Sequence, residues 1–251
     1  MQAYQIVQRA RDVHRISTQE IIQALCSNFI ECHGDRIMAD DKAIIGGVGL
    51  MDNQPITIIG IQKGKTLKEN LKRNFGSAGP AGYRKAQRLM KQAEKFRRPI
   101  LTLINTAGAS CTPKSEENGI GEAIASSLLL MSELTVPTIA IILGEGGSGG
   151  AIALAVADRV WMLENSIYAI LSPEGFASIL WKDAKLASKA ADIMKLTARE
   201  LLELSVIDEV IEEKETLLTD LTNKIKSTFR ELTAIPVEER MEQKYQKFRK
   251  F

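Results

Sequence analysis

The sequence predicts an α/β protein with a largely parallel sheet, on three observations. Apolar, β-branched runs alternate with helically periodic segments from residue 80 onward. One of those runs, Val136 to Leu143, leads into Gly144-Glu145-Gly146-Gly147-Ser148-Gly149-Gly150-Ala151 and then a small-residue segment, Ile152 to Ala157. That order reads as strand, glycine turn, helix. The chain of 251 residues, 45% hydrophobic and 25% charged, is long enough for a substantial core.

Residues 2 to 14 and 17 to 32 carry helical periodicity, with Ser17, Thr18 and Glu20 as an N-terminal cap for the second. Ala43 to Leu50 and Pro55 to Ile61 read as a hairpin turning at Asp52-Asn53. Lys63 to Gly79 reads as a polar, basic loop, and Pro80 to Arg97 as an amphipathic helix opened by proline. A strand at Pro99 to Ile104, a loop at Thr106 to Thr112 and a helix at Glu116 to Leu134 follow. Past the glycine run come strands at Val160 to Leu163 and Ile167 to Leu171, then a helix capped by Ser172-Pro173-Glu174-Gly175. Helices at Ala184 to Met194 and Thr197 to Leu204, a strand at Val206 to Ile211 and a charged helix to about Leu232 complete the expected order. Residues 236 to 251 read as a mixed-charge tail that frays or packs on a partner. No linker or low-complexity segment interrupts the chain, so one domain is expected: a helical segment at 1–32, a core at 33–212, and a C-terminal helix and tail at 213–251.

Composition narrows the function. No apolar run approaches membrane-spanning length and no signal peptide is evident, so a cytoplasmic protein is expected. Cys26, Cys32 and Cys111 lack metal-ligand spacing, so no metal and no disulfide framework are expected. The net charge is only +2, yet basic residues crowd 63–98, including Lys63, Lys65, Arg73 and Arg84. Such a patch suits an anionic partner, a phosphorylated cofactor or an acidic protein, or is simply a solvated face. With few aromatics there for stacking, nucleic acid is not expected.

The glycine run satisfies two stock patterns, and each lacks a requirement. Gly146-x-Ser148-x-Gly150 matches a nucleophile elbow, but His14 and His33 both lie upstream, where the acid-then-His order does not put them. Gly144-x-Gly146-x-x-Gly149 matches a dinucleotide fingerprint, with Glu164 about twenty residues on, but Glu145 puts a carboxylate where the pyrophosphate belongs. Gly60 to Thr66 falls one residue short of a P-loop. An oxyanion-type turn, built from backbone N–H groups, remains.

Seven separated segments, in order from about residue 30 to 210, resemble the α subunit of bacterial acetyl-coenzyme A carboxylase carboxyltransferase. They are His33-Gly34-Asp35-Arg36, Ala39-Asp40-Asp41-Lys42-Ala43-Ile44, Gln62-Lys63-Gly64, Arg73-Asn74-Phe75-Gly76, Gly82-Tyr83-Arg84-Lys85-Ala86, the glycine run, and Ser172-Pro173-Glu174-Gly175 through Lys182. The resemblance implies a crotonase-like (ClpP/crotonase) fold of repeated ββα units with added N- and C-terminal helices. It implies half of an active site that moves a carboxyl group from carboxybiotin, held on a separate biotin carboxyl carrier protein, to acetyl-CoA, giving malonyl-CoA. The other half belongs to a β subunit that carries zinc, in an α2β2 assembly.

That chemistry develops negative charge on a biotin oxygen, which two aimed N–H groups would each stabilise by about 3 kcal/mol. Gly146 and Gly147 are the expected donors. Gly108, Ala109, Glu145, Gly149 and Gly150 are the expected substrate and cofactor contacts, and Lys63, Lys65, Arg73 and Arg84 the contacts to an anionic partner. One loop departs from the family. Where relatives read Asp-Thr-Pro-Gly-Ala-Tyr-Pro-Gly and then Ala-Glu-Glu-Arg-Gly-Gln, this chain has Asn105 to Thr112 and Ser115 to Ile120, without the prolines, aromatic, arginine or glutamine. Two alternatives follow: a self-contained acyl-CoA hydratase or isomerase using Glu116 and Glu117, or a non-catalytic scaffold subunit.

Overall fold

The computed structural model describes residues 2–251. One mixed sheet organises them. Its strands are β1 (Ser27–Glu31), β2 (Ile44–Met51), β3 (Gln54–Ile61), β4 (Ile100–Thr106), β5 (Thr138–Gly147), β6 (Arg159–Leu163), β7 (Ile167–Ala169) and β8 (Glu209–Ile211). The order is β1-β2-β3-β4-β5-β6-β8, with β7 on β5. The first three are antiparallel and the rest parallel. The expected hairpin forms at Asp52 and Asn53, both left-handed (φ 49° and 62°), as the tightest right-twisting turn requires.

Helices cover both faces, which is why the strands read as unbroken apolar runs. Ile100, Ile104, Ala140, Ile142, Val160 and Met162 pack on one face, Leu101, Leu103, Ile139, Ile141, Trp161 and Leu163 on the other. The first face is covered by α4 (Pro80–Lys95), α6 (Ile120–Glu133) and α7 (Ser148–Ile152), the second by α2 (Thr18–Leu25) and α11 (Leu217–Ala234). A third cluster joins α1 (Ala3–Ala10) and α9 (Ala187–Met194) to β7.

Four sequence expectations are corrected. Residues 17–32 are not one helix: α2 ends at Leu25, and Ser27–Glu31 is an edge strand lying against Gly47, where a Cβ would stand 2.1 Å from Ile30 O. The basic loop contains a short helix, α3 (Leu67–Lys72), capped reciprocally by Thr66 and Glu69. The helix expected at 116–134 is two, α5 (Pro113–Glu117) and α6, broken at left-handed Gly119. The tail is neither frayed nor free. It forms α12 (Val237–Phe248), and its long cations reach back into the body. Lys244 Nζ donates to Met131 O and Leu134 O at 3.2 and 2.9 Å, Arg240 to Leu232 O and Thr135 O, and Lys247 to Ala157 O, Asp158 O and Asp208. Orphan carbonyls at the end of α6 thereby gain cationic donors.

Two of the quoted motifs are structural. Asp35 accepts N–H bonds from Ile37, Met38 and Ala39. Asp41 accepts those of Ala43 and Gly79. Lys85 on α4 is fully buried and its ammonium meets Asp40 at 2.6 Å and Asp41 O at 2.7 Å. Burial pushes the Asp40 carboxyl up, but Lys85 and the Gly34 N–H outweigh it and hold the group at about 2.

Removing one partner of such a pair strands the other charge. Asp40→Ala should lower unfolding stability by about 3 kcal/mol in denaturant titration. Because Asp40 titrates below its ordinary 3.8, its contribution is present above that value and fades as pH falls toward about 2; the variant's deficit should shrink with it.

Candidate active site

The glycine run does not turn where sequence places the turn. β5 stays extended through Gly147, and α7 starts at Ser148 rather than at Ile152. None of Gly144, Gly146, Gly147, Gly149 and Gly150 has positive φ; the left-handed residue is Ser148, at 52°. Three of these glycines serve close approach instead. A Cβ would stand 2.7 Å from Ala10 O at Gly144, 2.1 Å from Ala107 O at Gly147, and 2.6 Å from Ala109 N at Gly150. The structure thus brings Gly108 and Ala109, on the loop after β4, against Gly147 and Gly150.

Gly146 and Gly147 cannot serve together as donors to one oxygen. Successive N–H groups of an extended strand face opposite edges. Glu145 N–H turns toward β4, to Asn105 Oδ1 at 3.1 Å. By alternation Gly146 faces β7 and Gly147 faces β4, within the ladders that pair Gly146 with Tyr168 and with Thr106. The candidate donor amides belong to other residues. The first turn of α7 has no side-chain cap, and Ala109 N–H has no acceptor among the described residues, while Gly108 N–H is taken by Thr106 Oγ1 at 3.0 Å. Ala109, Gly149 and Gly150 therefore form the amide recess. Gly149 also lines an apolar cavity of about 510 Å³, together with Ile152, Tyr168, Ile170 and Phe248.

Residues behind the recess hold it. Buried Tyr83, from the Gly-Tyr-Arg-Lys-Ala motif, donates its hydroxyl to Gly150 O at 3.2 Å. The proline-poor loop is pinned by hydroxyls: Ser115 Oγ donates to Ser110 Oγ at 2.8 Å, and Ser110 N–H to Ala78 O. Asn105 supplies a side-chain oxygen to Glu145 N–H.

Glu145 is buried rather than solvated. It accepts from Lys63 Nζ at 2.7 Å and Arg11 Nε at 2.9 Å, and Arg11 also spans to Glu174 at 2.8 and 3.0 Å. Burial pushes the Glu145 carboxyl up, but Lys63 and Arg11 more than offset it, so the group sits below its ordinary range. The Arg11 guanidinium holds Glu174 at about 2. Sequence reasoning missed Arg11, since nothing in an arginine on an N-terminal helix announces a partner 134 residues away.

The candidate anion contacts divide. Lys63 is spent on Glu145, Lys65 meets Glu20 at 2.7 Å, and Arg84 donates to Asn118 O. Only Arg73, which donates to Lys42 O, lacks a carboxylate partner. Ser148 is exposed and no ring nitrogen bonds to it, so the elbow has its shape without its base. Glu116 and Glu117 face solvent on α5. Among the described residues, no three His, Cys, Asp or Glu are grouped to hold a metal ion, and no helix is long and apolar enough to cross a membrane.

The sheet and the recess at its strand-to-helix junction define a crotonase-like fold of the carboxyltransferase kind. The chain superposes on transcarboxylase 12S with hydrolysed methylmalonyl-coenzyme A bound, with a TM-score of 0.74 at 16% identity, covering 92% of this chain and 45% of that one. It also superposes on a chain of a Pseudomonas malonate decarboxylase hetero-tetramer in complex with coenzyme A, with a TM-score of 0.70 at 14% identity, covering 91% and 92%. A family model described as acetyl co-enzyme A carboxylase carboxyltransferase-like matches residues 1–251. The acetyl-coenzyme A carboxylase carboxyl transferase subunit alpha of Streptococcus gordonii is 57% identical over 250 residues, 98% of each chain. That of Streptococcus pneumoniae is 56% identical over 255 residues, covering both chains in full. This chain belongs to the acetyl-coenzyme A carboxylase carboxyltransferase family.

Arg11→Ala would leave Glu145 and Glu174 without their shared cation. At neutral pH, limited proteolysis should then cleave within the first fifteen or so residues at least about tenfold faster, because α1 is docked by that arginine. Equal cleavage rates would show that apolar packing alone docks the helix.

Proposed function

We propose that this chain is the α subunit of an acetyl-CoA carboxylase carboxyltransferase. With a β subunit it moves a carboxyl group from carboxybiotin on a biotin carboxyl carrier protein to acetyl-CoA, giving malonyl-CoA. The observation that carries this is the recess: the 107–109 loop after β4 packs on Gly147 and Gly150 at the uncapped start of α7, whose Gly149 lines an open apolar cavity.

Carboxybiotin, when bound, supplies an activated carboxyl group whose departure leaves negative charge on the ureido oxygen. Ala109, Gly149 and Gly150 are the N–H donors assigned to that charge, and main-chain groups fixed by the fold need no reorganisation at the moment of reaction. Gly146 and Gly147 hold the strand that aims them. Tyr83 fixes Gly150, and burial pushes its phenol well above its ordinary value, so at neutral pH it remains a hydrogen-bond donor and not a charge. Cβ-free Gly147 and Gly150 let the 107–109 loop close against α7, and Gly108 has open space around it, which suits a planar ring lying over the backbone. The chain supplies no positioned side-chain base, which fits a reaction whose proton acceptor is the biotin itself.

The cavity wall, with Ile170 and Phe251 largely exposed, fits a β subunit that completes the site, supplies zinc and most CoA contacts, and assembles as α2β2. The hydratase reading loses its acid pair to solvent.

The test is malonyl-CoA-dependent carboxylation of free biotin, with and without a cognate β subunit. Activity is expected only in the mixture; activity from the chain alone would overturn the two-subunit reading.

Gly150→Ala puts a Cβ against Ala109 N and should lower that rate by about 10²- to 10³-fold, the loss typical of one oxyanion donor. Gly121→Ala on α6 places its Cβ in open space and should keep the wild-type rate while stabilising the helix by up to about 1 kcal/mol.

A further inference from the structure

Helix α3 leaves an apolar ridge uncovered. Leu67 and Leu71, one turn apart, are 69% and 64% exposed, and Phe75 beyond them is 49% exposed. The ridge is flanked by Lys68, Lys72 and Arg73. None of these forms an ion pair among the described residues, whereas Lys63 and Lys65 just before them are both paired. The nearest acid, Glu69, is turned back onto the Lys65 and Thr66 N–H groups. Three cations therefore flank three apolar side chains without an ion pair among the described residues.

The ridge adjoins the catalytic loop. Phe75 borders a cavity of about 310 Å³ together with Lys63, Asn105, Ala107 and Glu145. Gly76 lies so close beneath that a Cβ would stand 3.1 Å from Asn105 O and 2.9 Å from Lys63 Cγ. Asn74 and Phe75 are both left-handed, at φ 46° and 53°. That conformation is a genuine outlier for a bulky residue, and such strain gathers at ligand clamps and switch regions. Here it projects an aromatic ring into solvent at the edge of the site.

The two exposed apolar surfaces differ in kind. The cavity wall at Ile152, Ile170 and Phe248 contains no charged residue and suits a lasting partner. The α3 ridge is small and ringed by free cations, the composition of a surface that captures a partner by electrostatic steering and lets it leave. We propose that the Leu67-Leu71-Phe75 ridge with Lys68, Lys72 and Arg73 is where the biotin-bearing carrier domain docks, through an acidic face with an apolar centre. This rests on the function proposed above, in which a protein-borne biotin must arrive and depart in every cycle.

The experiment uses the complex of this chain with its cognate β subunit and compares free biotin with carrier-attached biotin at low and high salt. First, the wild-type complex must carboxylate free biotin; if it does not, the function proposed above fails before any variant is compared. The Lys68→Glu/Lys72→Glu variant should raise KM for the carrier by about tenfold or more, with kcat and the free-biotin rate unchanged, and should flatten the salt dependence that the wild type shows. Leu71→Ser should raise KM for the carrier while leaving the salt dependence in place. An unchanged carrier KM in both variants, or an equal fall with free and carrier-borne biotin, would overturn the proposal. Loss of β-subunit co-purification would overturn it too, by assigning the ridge to that interface.

Discussion

The site depends on one carboxylate buried at the end of the central strand. Glu145 stands between two glycines in β5, and its charge is tolerable there only because Arg11 and Lys63 meet it from either side. A buried carboxylate lacking such partners would be forced to neutralise or to move. Through Arg11 it ties the N-terminal helix to the first turn of α8 (Pro173–Trp181), which carries Glu174. Through its own N–H it ties β5 to Asn105 on β4. The register of the two strand ends, and so the spacing of the amides they carry, follows from these four contacts.

Much of the architecture was legible in the sequence because the signals were local. The Asp52-Asn53 hairpin, the proline-led start of α4, and the Ser17 and Ser172 caps each rest on residues within a turn of one another. The glycine run marks the end of β5, and the 107–109 loop after β4 packs against it at Gly147 and Gly150. The choice of Gly146 and Gly147 as donors failed for a conformational reason. Glycine was read as a turn residue, but here it permits close packing of an extended strand, and peptide alternation then separates adjacent amides. Edge strand β1 was hidden because Phe29 continues the spacing of Ile21, Ile22 and Leu25, although the backbone turns extended at Cys26. The clasp of α12 could not be read, since a mixed-charge tail and a set of buried carbonyl-capping lysines have the same composition.

The 105–120 loop owes its order to hydroxyl groups. Proline stiffens a loop by restricting the unfolded chain. Here Ser110, Thr112 and Ser115 hold it by hydroxyl contacts in the folded state instead. The position of Ala109 is held in turn, since Ser110 N–H is anchored to Ala78 O immediately beside it.

The recess is made of main chain from two separate segments, and this bears on inhibition and drift alike. A compound that presents a carbonyl or ureido oxygen to Ala109, Gly149 and Gly150 would bind groups that every amino acid except proline possesses. Side-chain replacements around it could narrow the approach, but they could not delete the contacts themselves. Escape would have to come through glycines such as Gly147 and Gly150, where an added carbon meets backbone, or through the surfaces where partners assemble. The chemistry is thus written in a part of the polymer that ordinary substitution does not reach.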